Sequence, residues 1–283
     1  MKNLLSLLDQ IKVLRCRAAE DLPHLCRIGS ECISHVRAAK AQKITLIEHR
    51  SRRYALLSIG SGGKARFARP VREDLFVWDP KEIGLLLTNV SAGLWNPANS
   101  SNLERLVYTL QQGVAMYLDL FHPAAARKVV GTFFEALVAS SLNRVCGLCI
   151  GSGTVRVPDV NETIMTDLGL LQDDRVVLLV ATKTSTRERL SQPFVQKKIL
   201  EQAFPDPPKS ILIVVGDVQR IGVAAVQHTF TAGQFLLYWK YLTPLDGVFY
   251  IDVPPQAETA AFQNRLKPLS QLFSSDLELL LKS

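Results

Sequence analysis

The segment Arg175-Val-Val-Leu-Leu-Val-Ala-Thr-Lys183 is the most informative part of the sequence about the fold. Its unbroken apolar run is typical of a strand that is covered on both faces in the middle of a sheet. Around it, the apolar spacing predicts further strands at 154–160, 210–216 and 247–253, and helices at 132–143, 189–204, 233–241 and 259–281. This order of elements predicts an α/β fold with a central mixed sheet flanked by helices.

The residues before His122-Pro123 have a different character. Helical spacing at 4–39 and 102–121 encloses short strand patterns at 43–79. The glycines around Gly60-Ser-Gly-Gly63 lack the full spacing of a phosphate-binding loop, which favours a hairpin turn. We therefore expect an N-terminal α+β accessory region at 1–122 and a core domain at 123–283.

Composition narrows the class of protein but not its function. The 283 residues are 47% hydrophobic and 21% charged, which is the profile of an ordered globular protein. The formal net charge of +7 makes a polyanionic partner plausible without identifying it. We expect no apolar run that crosses a membrane, and hence a cytoplasmic protein. Five cysteines, an odd number, favour reduced thiols, and Cys146 and Cys149 are expected to pack without a metal.

Three charged residues of the predicted core can carry chemistry. Glu135 lies in the predicted helix, Asp159 follows Pro158 at the end of one predicted strand, and Lys183 ends the next. Phosphodiester hydrolysis needs oxygen ligands for Mg²⁺ and a cation close to the attacking water. Charged residues at strand ends are more often only solvated, so the Asp and the Lys alone leave both interpretations open.

The segment that follows the Lys favours the chemical interpretation. It reads Lys183-Thr-Ser-Thr-Arg187-Glu188-Arg189. A forked guanidinium matches the two acceptors of guanine in the major groove, and a carboxylate accepts from the amino group of cytosine. The three residues can therefore read a GG:CC step in double-stranded DNA. The alternative is an exposed helix start with ordinary ion pairs.

With these motifs the chain resembles the PD-(D/E)xK restriction endonucleases that read CCGG or CCNGG, the EcoRII-like and NgoMIV-like branch. The resemblance covers residues 131–199. It implies a type II restriction endonuclease that cuts double-stranded DNA at a short palindromic site with Mg²⁺, and that Glu135, Asp159 and Lys183 form the metal and phosphate site. Because a palindrome presents the same half-site twice, we expect a homodimer, with the N-terminal region adding DNA and dimer contacts.

The sequence departs from the pattern of this branch at one metal ligand. The position two residues before the Lys is Ala181, and in this branch the acid lies about 13 residues after the Lys, which here is Gln196. We expect Gln196 to serve as a neutral oxygen ligand beside the two carboxylates. The alternative is Glu201, which lies five residues further on and about 140° further round a helix.

Two other functions stay open at the level of sequence. The first is a PD-(D/E)xK nuclease that recognises DNA structure, although a shape reader needs no acid at a base edge. The second is a DNA-binding protein with a degenerate nuclease core, which Gln196 favours. We expect Tyr54, Trp78 and Trp95 to be packed, with stacking on an extruded base as the alternative.

Overall fold

A computed structural model describes residues 21–39, 41–47, 52–60, 65–91, 97–187, 189–222 and 225–282. The N-terminal half contains three helices and a small antiparallel sheet within these ranges. In chain order the elements are α1 (Asp21–Ala38), β1 (Gln42–Ile47), β2 (Arg53–Ile59), β3 (Arg66–Phe67), β4 (Val71–Arg72), α2 (Pro80–Ser91) and α3 (Pro97–Phe121). Strands β2 and β3 pair antiparallel, while most of the turn predicted around Gly60-Ser-Gly-Gly63 lies outside the described residues.

The C-terminal half forms a six-stranded sheet with helices on both faces. Its elements are α4 (Pro123–Cys146), β5 (Cys149–Val157), β6 (Glu162–Gln172), β7 (Arg175–Lys183), α5 (Ser191–Ala203), β8 (Lys209–Gly216), β9 (Val218–Ile221), β10 (Ala225–His228), α6 (Ala232–Tyr241), β11 (Gly247–Asp252), β12 (Lys267–Pro268), α7 (Leu269–Gln271) and α8 (Leu277–Lys282). A π-helical turn, Leu272–Asp276, joins the last two helices.

Strand β7 lies inside the sheet, as its apolar run predicts. The strand order is β12-β11-β8-β7-β6-β5, parallel from β7 to β12 and antiparallel from β7 to β5. Leu178 and Val180 are buried on one face of β7, and Leu179 and Ala181 are buried in separate clusters. The mixed sheet flanked by helices confirms the predicted fold class.

Strand β6 and the C-terminal helices differ from the prediction. Sequence patterning predicts no strand between 160 and 175, yet β6 pairs with both neighbours and turns into β7 at Asp173 and Asp174, whose φ angles are 49° and 59°. Asp and Asn tolerate this left-handed conformation, which short hairpins require. The predicted helix at 259–281 is wrong in its first part, because Lys267–Pro268 pairs with β11 and helix begins only at Leu269.

The largest apolar cluster includes residues from both halves of the chain. Leu25 and Leu110 from before position 122 are fully buried in the same cluster as Phe133 and Val180. Helices α3 and α4 both contribute to it. The boundary between an accessory region and a core domain at 122/123 stays a prediction, but the two segments share this apolar core.

One helix corrects the expectation about membrane-length segments. Among the described residues, Lys128–Cys146 of α4 is long and apolar enough to span a membrane by length and composition. Phe133, Phe134 and Leu137 of this helix are buried inside the protein. A core helix that is covered by a sheet and other helices can be as long and as apolar as a membrane-spanning helix. The buried side chains of α4 therefore explain its apolar composition.

Candidate active site

Lys183 at the end of β7 contacts a carboxylate that sequence reasoning missed. Its Nζ lies 2.8 Å from Oδ2 of Asp167, which is on β6. The same oxygen accepts hydrogen bonds from the backbone N–H of Thr182, at 2.7 Å, and from the Thr182 hydroxyl, at 3.3 Å. The side chains of Lys183 and Asp167 are 15% and 26% exposed, so the pair is partly shielded but open to a ligand.

A β-bulge lies next to Asp167. Gly151 pairs with Gly169 and Gly153 pairs with Thr166. The two-residue advance on β5 is therefore opposite a three-residue advance on β6, which leaves one extra residue in β6. The Thr166 hydroxyl donates to the carbonyl oxygens of Gly153, at 3.2 Å, and Leu168, at 3.1 Å. Bulges bend a strand and re-aim its side chains. The extra residue in β6 therefore helps to orient the Asp167 carboxylate toward β7.

A cleft of about 560 Å³ opens over the Asp167–Lys183 pair. Glu135, half-buried on α4, lies in its wall. The charged side chains that line this cleft are Arg69, Glu135, Asp167, Lys183, Arg187 and Arg189. The structure thus brings Glu135 and Lys183 into one cleft, which combines carboxylates with a surplus of cations.

Gln196 on α5 lies beside the same strand. Its side-chain nitrogen donates to the carbonyl oxygen of Met165 at 2.8 Å, two residues before Asp167. This hydrogen bond uses the amide N–H, so the carbonyl oxygen of the side chain is the atom that can bind a cation. Helix α5 therefore places Gln196 against the β6 backbone two residues before Asp167, although Gln196 is not among the residues that line the cleft over Lys183.

Glu201, the alternative to Gln196, takes part in different contacts. The Thr243 hydroxyl donates to its Oε1 at 2.7 Å, and Lys197 lies 3.8 Å from the same oxygen. These contacts tie the end of α5 to the segment that follows α6. Glu201 is not among the residues that line the cleft over Lys183.

The structure does not bring Asp159 next to Lys183. Asp159 is exposed in the turn between β5 and β6, and β5 is the edge strand of the sheet. The neighbour of β7 on that side is β6, so the carboxylate beside the Lys comes from β6. Even Glu162, where β6 begins, is separated from Asp167 by roughly 16 Å of extended chain. The geometry therefore favours Asp167 for the site role that the sequence predicts for Asp159.

The segment after Lys183 lies along the cleft. Arg187 and Arg189 line it, while Glu188 lies outside the described residues. The segment does not continue as a helix at Arg189, because α5 begins at Ser191. Thr186 is fully buried and anchors this short stretch against Asp217.

Among the described residues of the N-terminal half, Arg69 contributes a cation to the cleft. Arg69 lines both the cleft over Lys183 and a neighbouring cleft of about 610 Å³. Its guanidinium donates to both carboxylate oxygens of Asp119, at 2.8 and 3.0 Å. A bidentate pair of this kind fixes the orientation of the guanidinium.

The aromatic residues that were candidates for base stacking are packed where the structure describes them. Tyr54 is fully buried and its hydroxyl donates to Asp252 at 2.8 Å. Trp78 is half-buried with its ring edge against Phe76, and Trp95 lies outside the described residues. Cys146 and Cys149 are free thiols.

The fold is that of type II restriction endonucleases. It matches the crystal structure of the type IIP restriction endonuclease Kpn2I with a TM-score of 0.82 and 20% identity, over 100% of this chain and 98% of the other. It matches the complex of the restriction endonuclease PspGI with substrate DNA with a TM-score of 0.50 and 15% identity, over 72% of this chain and 92% of that one. No protein-family model and no curated protein sequence matches the chain. At these identities the likeness establishes the fold.

Proposed function

We propose that the protein is a Mg²⁺-dependent type II restriction endonuclease that cuts double-stranded DNA at a short palindromic site containing CC and GG. The observation that carries the proposal is the contact of Lys183 with Asp167 in a cleft that Glu135, Arg187 and Arg189 also line. The fold shared with Kpn2I, and with PspGI in its complex with substrate DNA, supports the same class of reaction.

The residues of the cleft fit a hard divalent cation. Asp167 and Glu135, which line the cleft, offer carboxylate oxygens, and Gln196, which contacts the β6 backbone at Met165, offers an amide oxygen; Mg²⁺ prefers such ligands. The bound metal would polarise the phosphate and favour hydroxide formation from water. The proposed metal ligands are therefore Asp167, Glu135 and Gln196, with Asp167 in the place predicted for Asp159.

Lys183 and Asp167 are the side chains proposed to assist phosphodiester hydrolysis directly. The ammonium group of Lys183 offsets the negative charge that grows on the phosphate and favours deprotonation of a nearby water. Asp167 holds that ammonium group in position through their 2.8 Å contact, while the N–H of Thr182 holds Asp167. The site is therefore organised before the substrate binds.

The segment that follows Lys183 would recognise the DNA sequence. Arg187 and Arg189 would donate to the acceptors of guanine, and Glu188 would accept from cytosine. The net charge of +7 adds non-specific attraction to phosphates. Because a palindrome presents the same half-site twice, two copies of the chain related by a two-fold axis would match it. Such a homodimer would act in the cytoplasm, where its DNA substrate is accessible.

A second candidate function is DNA binding without cleavage. The observation that favours it is Gln196, a neutral side chain at the position where an acid is expected and hydrogen-bonded to the β6 backbone. Loss of one negative ligand weakens a magnesium site. This candidate and a structure-specific nuclease make different predictions for the same DNA digest.

Digestion of a set of plasmids of known sequence tests the proposal. The purified protein is incubated with each plasmid in Mg²⁺ or in EDTA, and the ends of the products are sequenced. We expect Mg²⁺-dependent ends at one repeated palindrome. General degradation would indicate a structure-specific nuclease, and a gel shift without cutting would indicate a DNA-binding protein; either result rejects the proposal. Lys183→Ala serves as the control for a contaminating nuclease.

A further inference from the structure

A buried carboxylate outside the cleft holds the segment that carries Arg187. Asp217 directly follows β8 and is 1% exposed. Its Oδ1 accepts from the hydroxyl of Ser185 at 2.9 Å and from the backbone N–H of Thr186 at 2.7 Å. Its Oδ2 accepts from the hydroxyls of Thr186, at 2.7 Å, and Tyr250, at 2.9 Å.

These contacts fix the course of the backbone between Lys183 and Arg187. A buried carboxylate without donors is strongly unfavourable, and hydrogen bonds to a charged group are among the stronger ones in proteins. Three of these donor groups belong to Ser185 and Thr186. Any displacement of this stretch would therefore leave Asp217 buried with unmet acceptors.

The strand after Asp217 reaches the guanidinium itself. Gln219 on β9 accepts a hydrogen bond from Nη1 of Arg187 through its Oε1. Strand β9 is held by pairing with β10, where Gln227 faces Gln219. The carbonyl oxygen of Asp217 accepts from the N–H of Thr229 at 2.7 Å, which closes the same hairpin. One short element thus contacts both the backbone and the head group of the Arg187 segment.

We propose that Asp217 and Gln219 are positioning residues that set the sequence specificity of cleavage by holding Arg187 in its reading orientation before DNA binds. This inference rests on the proposed function. A guanidinium that is already oriented loses less conformational freedom on contact with guanine. Release of Arg187 should therefore weaken discrimination between base pairs, whereas contacts to phosphates elsewhere would be unaffected.

Single-turnover cleavage of two duplexes tests this role. One duplex carries the palindrome that the wild type cuts, and the other carries the same site with one GG:CC base pair replaced. The measured quantity is the ratio of the two cleavage rates. For Gln219→Ala we expect this ratio to fall on the order of tenfold, toward the value for Arg187→Ala. Gln227→Ala, the same change on the facing strand, should leave the ratio at its wild-type value.

The Asp217 contact is tested by graded variants. Thr186→Val keeps the shape of the side chain but removes one donor to Asp217, and it should also lower the ratio. Asp217→Asn keeps an acceptor for the Thr186 N–H, so its ratio should lie closer to the wild type than that of Asp217→Ala. If Asp217→Ala does not fold, Gln219→Ala and Thr186→Val decide the question.

Two results would overturn the inference, and they differ from each other. If Gln219→Ala and Thr186→Val change both rates by the same factor, or change neither, these contacts are structural and do not set specificity. If the wild type itself cuts at no fixed site, the proposed function fails and the positioning role fails with it.

Discussion

Lys183 contacts Asp167 directly, and this single contact gives the first prediction. Lys183→Ala should lower the cleavage rate by at least a hundredfold, because the ammonium group acts on charge that develops in the transition state. Binding to the cleaved site in Ca²⁺ should survive, since the Arg side chains that line the cleft remain. Single-turnover cleavage in Mg²⁺ and gel shifts in Ca²⁺ measure the two quantities.

Two aspartates provide the control for this prediction. Asp167→Asn should lower cleavage to a similar extent, whereas Asp159→Ala, in an exposed turn, should cut like the wild type. Normal cutting by Asp167→Asn together with inactivity of Asp159→Ala would show that Asp159, as predicted from the sequence, and not Asp167 is the carboxylate of the active site.

The choice between these aspartates shows what the sequence can and cannot supply. Lys183, Glu135 and Gln196 follow from local spacing; the structure places Lys183 and Glu135 in one cleft and Gln196 against the β6 backbone at Met165. The partner of the Lys depends on which strand pairs with β7, which is long-range information. An antiparallel β6 could have been suspected from Asp173-Asp174, since such pairs favour the tight turn of a hairpin.

Glu104 gives a prediction about pH. It is 8% exposed, its Oε2 accepts from the N–H of Ser270 at 2.6 Å, and burial raises its pKa to about 7. An acid whose pKa is raised by folding favours the native state when protonated, so its contribution to stability falls as pH rises from about 4.5 to about 7. The full loss is on the order of 3 kcal/mol.

Glu104→Gln removes this titration while keeping an oxygen for Ser270. The melting temperature of the variant, relative to the wild type, should therefore rise between pH 5 and pH 8. Differential scanning calorimetry at several pH values measures this difference. A constant difference would show that Glu104 has an ordinary pKa in the folded protein.

Helix α5 contacts β6 through Gln196 near its middle and Thr243 through Glu201 near its C-terminal end. Gln196→Glu should lower the Mg²⁺ concentration needed for half-maximal cleavage by several-fold, because it adds a negative ligand to the proposed metal site. Glu201→Ala should destabilise the protein slightly and leave that concentration unchanged. The Mg²⁺ dependence of the cleavage rate measures both. Inactivity of Glu201→Ala with unchanged cutting by Gln196→Ala would assign the metal ligand to Glu201.

The pairing of β5 with β6 depends on Gly153. A Cβ at this position would lie 1.9 Å from Oγ1 of Thr166 and 2.5 Å from the carbonyl oxygen of Leu168. Gly153→Ala must therefore open the bulge beside Asp167, and we expect a loss of about 1–3 kcal/mol in stability together with slower cleavage. Thermal melts and cleavage rates are the measurements.

Gly84→Ala is the matched control for this substitution. No heavy atom would lie within 4 Å of a Cβ at Gly84, which is inside helix α2. The change should stabilise the protein by up to about 1 kcal/mol and leave cleavage unchanged. Equal effects of the two substitutions would mean that the bulge does not hold Asp167.

The two halves of the chain contact each other through polar groups as well as through the apolar core. Arg72 on β4 donates to Oδ1 of Asp252 at 3.0 Å, and Tyr54 on β2 donates to Oδ2 at 2.8 Å. Asp252 ends β11 and is 3% exposed. Burial raises the pKa of Asp252, and the Arg72 guanidinium opposes this shift by favouring the charged form. Such contacts join positions about 180 residues apart, which local sequence patterns cannot predict.

The last prediction concerns this buried ion pair. Arg72→Met should destabilise the folded protein by about 3–5 kcal/mol, because it leaves a buried carboxylate without its cation. Since the apolar cluster crosses the boundary at 122/123, we expect one cooperative transition that moves as a whole. Denaturant unfolding followed by tryptophan fluorescence and by far-UV circular dichroism should give coincident curves.

Arg175→Ala, which breaks an exposed ion pair with Asp206, is the control and should change the free energy of unfolding by less than about 1 kcal/mol. Two separate transitions, of which Arg72→Met shifts only one, would instead show that 1–122 and 123–283 unfold as independent domains.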